Sequence, residues 1–337
     1  MSGDGSDFPP PPEGYVTWGL FCAKNKDDPI CVNVRSHYEH VPSTAANAIF
    51  AAIFGLSFIG FVAVYFGTRR RGTFFTVTMC LGNLCEILGY VARVLSSKNP
   101  WEDLGFLMQI VCLTIGPAFL AAGVYTCLAK VVIIYGEENS RVKAAWYTRI
   151  FIPCDVVSLV LQAAGGAMAA SAEDGEYETL DMGTNIMIAG LAFQVFTMLM
   201  FSLCAIDFGL RVMRRRSRLG REAFDQSEPA RSIRSTFMFR AILVALTVST
   251  LTILWRSAYR TAELSEGWDG PLLANEGLFI AFEGVLIAVA VLVLNVFHPS
   301  LAFGEVMDGK YQMVRNRKED SGSSEDASEM AMLGHRV

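Results

Sequence analysis

The chain has 337 residues, of which 52% are hydrophobic and only 18% are charged, and its formal net charge is −5. Soluble proteins carry about 25% charged residues. A soluble enzyme with large buried helices would need amphipathic helices to cover them, and the remaining segments are too short and too polar to form these. The composition therefore excludes a soluble globular protein and indicates a membrane protein.

Seven segments are almost free of charge, and each is long enough to cross a bilayer. In chain order they are residues 45–66, 73–92, 104–129, 150–170, 183–206, 236–255 and 277–297. A hydrocarbon core about 30 Å thick needs roughly 20 helical residues. Because every backbone amide inside lipid must be bonded within its own segment, these segments must be helices. We number them spans one to seven and predict an all-α fold, a polytopic seven-transmembrane helix bundle.

The spans divide the chain into three parts. Residues 1–42 are expected to form an extracellular tail. Its first 20 residues are Pro-rich and acidic and lack the apolar core of a signal peptide, so span one is expected to direct insertion. Residues 43–300 form the transmembrane domain. Residues 301–337, which are rich in Ser, Glu and Asp beyond Gly309, are expected to form a disordered cytoplasmic tail. Cys22 and Cys31 lie in the first tail, where oxidation is possible. The sequence leaves open whether they pair or stay as free thiols.

The charges of the links between spans alternate in sign. Basic residues follow spans one, three and five: residues 69–71, then Arg141, Lys143 and Arg149, then the run at 211–221 with Arg231 and Arg234. The alternate links are acidic, with Glu173, Asp174, Glu176, Glu178 and Asp181 after span four and Glu263, Glu266, Asp269 and Glu276 after span six. Since Lys and Arg are retained in the cytoplasm, the N-terminus is predicted outside and the C-terminus inside. The basic run beside span five is expected to face lipid headgroups rather than nucleic acid.

Ionisable residues inside spans are costly and by default face the bundle interior. In three spans such residues and their polar neighbours recur at helical spacing, which places each set on one helix face. The sets are Glu86, Tyr90 and Arg93 in span two, Asp155, Ser158 and Gln162 in span four, and Arg256, Tyr259, Arg260 and Glu263 in span six and its exterior extension. Span seven adds Glu283.

The predicted orientation sorts these residues by depth. The acids and bases of spans two, six and seven fall in the outer half of the bundle, whereas Asp155 is alone in the inner half. Two interpretations of the outer set remain: an ion-pair network that fixes helix packing, or a polar site for an amphipathic molecule. We favour the second for the set as a whole, because desolvating six charges for packing alone is unfavourable.

Several membrane chemistries are excluded by missing motifs. Span seven has no lysine for retinal, and none of the four histidines lies in a span interior to bind haem. The chain has no P-loop, no H-E-x-x-H metal motif and no G-x-S-x-G nucleophile turn. We therefore expect no cofactor, no metal site and no enzymatic activity. The acidic-Arg-aromatic triplet of rhodopsin-like receptors is also missing after span three.

A series of short motifs resembles a known group. In chain order they are Tyr38-x-x-x-Pro42-Ser43-x-x-x-Asn47, Glu86-x-x-Gly89-Tyr90-x-x-Arg93, the run from Pro117 to Tyr125, Asp155-x-x-Ser158-x-x-x-Gln162-x-x-Gly165-Gly166, Gly190-x-x-x-Gln194, Arg256-x-x-Tyr259-Arg260-x-x-Glu263, Glu283 and His298-Pro299. In this order, over roughly residues 38–300, they resemble the fungal lipid-translocating exporter family. Its members are seven-span proteins associated with resistance to aminocholesterol and to sphingoid long-chain bases.

The resemblance implies a fungal protein of the plasma or an internal membrane that exports or flops an amphipathic lipid. We expect the plasma membrane. In this hypothesis Glu86, Glu263 and Glu283 receive an ammonium headgroup, Arg93, Arg256 and Arg260 keep those acids ionised, and Tyr90 and Tyr259 stack on the cation or bond a hydroxyl. Asp155, Ser158 and Gln162 form an inner stage.

Two alternatives remain. One is a seven-span lipid-sensing receptor that signals through residues 209–235, and the other is a structural regulator of lipid asymmetry. Membrane lipids are expected partners in each case, with a homo-oligomer or a signalling partner as further options.

Overall fold

The structure, a computed structural model, describes residues 17–34, 42–171, 177–220, 228–267 and 275–308, together with Pro12, Tyr15, Ser36, Phe224 and Leu272. Every secondary-structure element in this part of the chain is a helix. The elements are α1 (Trp18–Lys24), α2 (Thr44–Gly67), α3 (Thr73–Ser96), α4 (Asp103–Tyr135), α5 (Ala144–Ser171), α6 (Tyr177–Leu219), α7 (Glu228–Ser235), α8 (Phe237–Ser265), α9 (Glu276–Val296) and α10 (Pro299–Met307). A short 3-10 helix, Pro29–Asn33, follows α1.

Seven of these helices are long and apolar enough to cross a membrane, which confirms the predicted seven-span fold. Spans one to five are α2 to α6, span six is α8 and span seven is α9. Several helices extend beyond the apolar segments, and α6 continues through the basic run to Leu219. The chain keeps its helical hydrogen bonds after it leaves the apolar region, because charged side chains on a helix end can reach water or headgroups.

Pro153 lies inside α5, because that helix already begins at Ala144. Its missing amide leaves a carbonyl of the preceding turn without its helical donor.

The seven spans pack in sequence around the bundle, and α4 lies nearest its centre. Each span packs on the next, and α9 returns to α2. Helix α4 also contacts α6 and α8 across the bundle, and most of its middle and C-terminal residues are buried. Large apolar side chains such as Ile49, Leu56 and Val160 remain exposed on the outer surface, where lipid is their natural solvent.

Glycines allow two helix pairs to approach closely. A Cβ added to Gly165 in α5 would lie 2.5 Å from the backbone nitrogen of Met187 in α6, and one added to Gly183 would lie 2.5 Å from that of Ala169. In α3, Gly82 and Gly89 meet Leu120 and Leu113 of α4 in the same way. Gly165, Gly82 and Gly89 therefore serve close helix contact, as small residues do in membrane bundles.

The two ends of the bundle differ in chemistry. Cys22 and Cys31 form a disulfide, which answers the question that the sequence left open. Asn99 and Trp101 hold this segment near the end of α3 by donating to the carbonyls of Ala23, at 2.8 Å, and Val34, at 3.3 Å. We call this the disulfide end. The opposite end carries residues 69–71 and the basic run of α6, and we call it the basic end.

Candidate ligand site

Three helices bring one charged side chain each to the same buried place near the disulfide end. Glu86 of α3 is 1% exposed, Arg256 of α8 is 0% exposed and Glu283 of α9 is 2% exposed. Arg256 and Glu283 form an ion pair through Nη2 and Oε1. Glu86 interacts electrostatically with both of them. The structure therefore brings together three of the ionisable residues that the sequence singled out.

Arg256 has a second anchor that depends on a proline. Pro117 lies inside α4, so it offers no N–H to the carbonyl of Leu113 four residues earlier. The Nη2 atom of Arg256 donates to that carbonyl oxygen at 2.6 Å. The missing helical bond is thus replaced by a bond from a neighbouring helix, which fixes the guanidinium between α4 and α9.

Glu283 lies in an irregular part of its helix. Residues Ile280–Val285 form a π-helical turn inside α9, and π-turns are frequent at functional sites. The following residue, Gly284, packs against Phe50 of α2, where a Cβ would come within 2.5 Å of the ring. The wide turn and the glycine together let α9 sit against α2 while it presents Glu283 to Arg256.

Glu86 faces α4 where that helix has no side chain. A Cβ on Gly116 would lie 2.6 Å from Oε1 of Glu86, so glycine makes room for the carboxylate. One turn along α3, the ring of Tyr90 stacks on Phe54 with centroids 5.6 Å apart. We call Glu86, Tyr90, Arg256 and Glu283 the acid–arginine cluster.

The acid–arginine cluster holds more polar atoms than its own side chains satisfy. Five buried atoms have no hydrogen-bond partner among the described residues: Oε1 of Glu86, the hydroxyl of Tyr90, Nε and Nη1 of Arg256, and Oε2 of Glu283. Buried polar atoms are normally paired, and each exception calls for an explanation. When both acids are ionised, two carboxylates face one guanidinium, so the cluster can accept one further positive charge.

The other three candidate residues of α8 lie next to this cluster. Arg260 pairs with Glu263 within the same helix at 2.6 Å, and Arg260 also interacts electrostatically with Glu283. The ring of Tyr259 stacks on Phe282 with centroids 4.9 Å apart, and its hydroxyl donates to the carbonyl of Leu272 at 3.4 Å. Phe282 therefore covers one face of the Tyr259 ring.

Arg93 lies closer to the disulfide end and contacts three helices. Its Nε donates to Oδ1 of Asn47 at 3.1 Å, and its Nη1 donates to Oε1 of Gln109 at 3.3 Å. Its guanidinium also lies over the ring of Phe279, 3.7 Å from the centroid. Arg93 thus ties α2, α4 and α9 to α3.

A second polar group lies among α4, α5 and α6. Asp155 is 4% exposed, and both of its carboxylate oxygens lack a hydrogen-bond partner among the described residues. Ser158 donates to the backbone carbonyl of Asp155 at 2.8 Å, and Gln162 donates to Gln194 of α6 at 3.2 Å. The three predicted residues of span four share one buried face, as their spacing indicated.

Sequence reasoning missed part of this geometry. The Leu113 carbonyl is a backbone group, and only the position of Pro117 four residues later signals that it is free. Tyr125 and Gln194 belong to motifs that we quoted but did not select as site residues. Gln109 was missed because a neutral amide in an apolar span gives no strong signal. No group of three or more potential metal ligands occurs among the described residues.

Comparison with known proteins places the chain in a family. Residues 79–306, more than half of the chain, match the family described as "RTA1 like protein". The chain belongs to the RTA1-like family. This membership confirms the resemblance that the motifs predicted, and with seven spans it identifies an integral membrane protein.

Among curated relatives, this RTA1-like chain is 35% identical over 254 residues to a protein named "Sphingoid long-chain base transporter RSB1" from Saccharomyces cerevisiae. That match covers 69% of the chain and 66% of the relative, so the chain spans slightly less than two thirds of the relative's length. "Protein RTM1" from the same species is 29% identical over 67% of the chain and 68% of its own length. "Protein RTA1" is 24% identical over 84% of the chain and 91% of its own length. No solved structure matches the chain.

Proposed function

We propose that the chain moves an amphipathic lipid with a cationic headgroup, a sphingoid long-chain base, across or between the leaflets of its membrane. Such movement confers resistance to toxic lipids. The observation that carries the proposal is the acid–arginine cluster, in which Glu283 pairs with Arg256, a second buried acid, Glu86, interacts with both without an ion pair, and polar atoms remain unpartnered. The RSB1 relative, whose name specifies a sphingoid long-chain base, supports this substrate class.

The charge of the cluster favours an ammonium group. An ammonium that enters beside Glu86 and Glu283 gives two acids two positive partners and leaves the site neutral. Its N–H groups match the free carboxylate oxygens, and the hydroxyl of Tyr90 matches a hydroxyl near the headgroup. Because Arg256 is held by the Leu113 carbonyl as well as by Glu283, it stays in place when the ligand takes part of the negative charge.

The other predicted site residues receive supporting roles. The lipid route between the cluster and the disulfide end is lined by Arg93, Arg260, Glu263 and Tyr259. The inner stage of the route, on the other side of the cluster, is formed by Asp155, Ser158 and Gln162. Transport needs no catalytic residue or cofactor. Since the sequence has no nucleotide-binding loop, movement must follow a gradient or depend on a partner. The expected location is the plasma membrane.

The test measures transbilayer movement of a fluorescent sphingoid base in proteoliposomes. Glu86→Gln keeps the shape of the side chain but removes its charge, and a charge-assisted bond is worth about 1.5–3 kcal/mol, so movement should slow about 10-fold or more. The matched control is Glu305→Gln, which removes a carboxylate of an exposed pair with Arg71 at the basic end. Glu283→Gln provides a second test of the cluster. Wild-type rates in both cluster variants would refute the proposed site.

A second candidate function is a lipid-sensing receptor, and contacts at the basic end favour it. Arg234, next to α8, donates to the carbonyl of Ile134 at the end of α4 at 2.7 Å. Arg215 of α6 bonds Glu138 and Asn139, each at 3.2 Å. These bonds connect the central helix to the link between spans five and six. Purified protein that binds the labelled base but leaves it in its original leaflet would support a receptor over a transporter.

A further inference from the structure

Asp155 is a buried acid whose charge no neighbouring cation balances. It lies in α5, away from the acid–arginine cluster, and neither carboxylate oxygen accepts a hydrogen bond from a described residue. The hydroxyl of Tyr125, from α4, interacts with the Asp155 carboxylate as a neutral polar neighbour, and it also contacts Sδ of Met198 at 3.4 Å. Asp155 thus has a neutral polar neighbour but no cationic partner among the described residues.

Three helices contribute the polar and titratable groups around Asp155. Helix α5 contributes Ser158, Gln162 and the thiol of Cys154, α4 contributes the phenol of Tyr125, and α6 contributes Gln194 and Met198. In the described part of the chain, no lysine, arginine or histidine lies within ion-pair distance of Asp155.

An ionised carboxylate is strongly destabilised in such surroundings. An isolated buried charge is so costly that the group takes up a proton instead, and intramembrane acids of this kind serve as proton relays in transporters. Glu283 differs, because it has Arg256 as a partner. Burial therefore favours the protonated form of Asp155 in this arrangement, and a change of shape that admits water or a cation favours the ionised form.

One helix connects this acid with the acid–arginine cluster. On α4, Gly116 abuts Glu86 and Leu113 holds Arg256, while Tyr125 faces Asp155. Gly116 and Tyr125 are separated by about 13 Å of helix at about 1.5 Å per residue. Pro117, which breaks the hydrogen-bond ladder, lies between them. A change of bend at Pro117 would move both sites together.

We propose that Asp155 is a proton-binding site that couples movement of the cationic lipid to a proton gradient. The coupling rests on the transport function proposed above. A hydronium ion at one face gives its proton to a carboxylate oxygen of Asp155 and becomes water, and the acid later returns the proton to water at the other face. One ammonium headgroup moves in the opposite direction for each proton, so the exchange carries no net charge.

The first experiment tests proton binding without any lipid substrate. Infrared difference spectra of the purified protein in nanodiscs, recorded over a pH titration, should contain the C=O band of a protonated buried carboxylic acid. Asp155→Asn should remove this band, and Glu305→Gln should leave it unchanged. Identical spectra for wild type and Asp155→Asn at every pH would overturn the proposal.

The second experiment tests coupling in proteoliposomes with an imposed pH gradient. The gradient should accelerate wild-type movement of the labelled base several-fold. Asp155→Asn, a mimic of the protonated acid, should lose the acceleration by the pH gradient, and Asp155→Glu should regain part of it. A folded Asp155→Asn protein that responds to the pH gradient as strongly as the wild type would overturn the proposal. A wild-type protein that moves no base would remove the proposed transport and its coupling, while the infrared band would still decide whether Asp155 binds a proton.

Discussion

The ion pair between Arg256 and Glu283 is fully removed from solvent. Desolvating two charges costs several kcal/mol for each ion, and a good geometry with further hydrogen bonds is needed to offset this cost. Arg256 makes one such bond, to the Leu113 carbonyl. Two nitrogens of Arg256 and one oxygen of Glu283 stay unpartnered among the described residues. This incomplete pairing is consistent with the ligand site that we propose for the cluster.

Removing one member of this pair should be worse than removing both. Arg256→Met leaves Glu283 buried without its cation and should cost about 3–5 kcal/mol of folding free energy. The double variant Arg256→Met/Glu283→Gln should recover most of that loss, because no charge of the pair is left alone. Thermal unfolding in detergent measures both. Equal destabilisation of the single and double variants would contradict this view of the pair.

His298 caps the last helix from a buried position. Its Nδ1 accepts the N–H of Ser300 at 3.2 Å, and its ring packs against Phe61 and Phe75 with centroids 5.5 Å and 5.3 Å away. Burial lowers the pKa of His298 to about 4, because the charged imidazolium would lose its water. The histidine is thus neutral in the folded protein at physiological pH.

This shift predicts a pH dependence of stability. An unfolded histidine titrates near pH 6.5, so below that pH the unfolded state takes up a proton that the folded state refuses. Stability should be fully present above about pH 6.5 and should fall progressively as the pH drops toward about 4. His298→Asn keeps a capping acceptor but does not titrate, so it should have a lower baseline and a shallower pH slope. Thermal unfolding of both proteins between pH 7.5 and 5 tests this, and equal slopes would argue against it.

At the scale of elements, α4 organises the site. Its central place in the bundle lets its backbone meet α3 at Gly116 and α8 at Leu113. An uninterrupted helix would use the Leu113 carbonyl internally. Because Pro117 has no N–H, the Leu113 carbonyl of α4 instead accepts a hydrogen bond from Arg256 of α8.

Pro117→Ala should separate stability from function. The new amide competes with Arg256 for the Leu113 carbonyl, so movement of the labelled base should slow about 10-fold, while thermal stability should stay the same or rise because the helix is repaired. Pro153→Ala in α5 is the matched control, since it repairs a helix that does not hold Arg256. Wild-type movement by Pro117→Ala would show that the carbonyl anchor is dispensable.

At the scale of the whole molecule, the bundle has one acidic, disulfide-bonded end and one basic end. At the basic end Arg71 pairs with Glu305 of α10 at 3.2 Å, and Asp207 pairs with Arg211 at 2.9 Å. Many arginines of the α6 extension remain exposed, as expected for contact with anionic lipid headgroups.

The charge asymmetry predicts the orientation in the membrane. An epitope tag at the N-terminus should be accessible to antibody on intact cells, and a tag at the C-terminus should be accessible only after permeabilisation, because Lys and Arg are retained in the cytoplasm. A tag inserted in the acidic link after span four should behave like the N-terminal tag. The reverse pattern would place the acid–arginine cluster toward the cytoplasm.

The sequence by itself determined the seven helices, because the lack of water in lipid leaves an apolar segment of this length no other structure. Helical spacing also determined that Glu86 shares a face with Tyr90, and that Asp155 shares a face with Gln162. Span ends were less predictable, since polar residues continue α5 and α6 beyond their apolar parts. Predictions for residues 1–11, for 172–176 and for the tail from 309 onward lie outside the described residues.

Only the tertiary structure decided which charges meet. The sequence offered six outer charges, and packing paired Arg256 with Glu283, kept Arg260 with Glu263 on one helix, and turned Arg93 toward amides and an aromatic ring. These choices depend on the rotation of each helix, on the π-turn of α9 and on the carbonyl that Pro117 frees. Periodicity along one helix does not predict these pairings, because they arise from contacts between helices that are far apart in the chain.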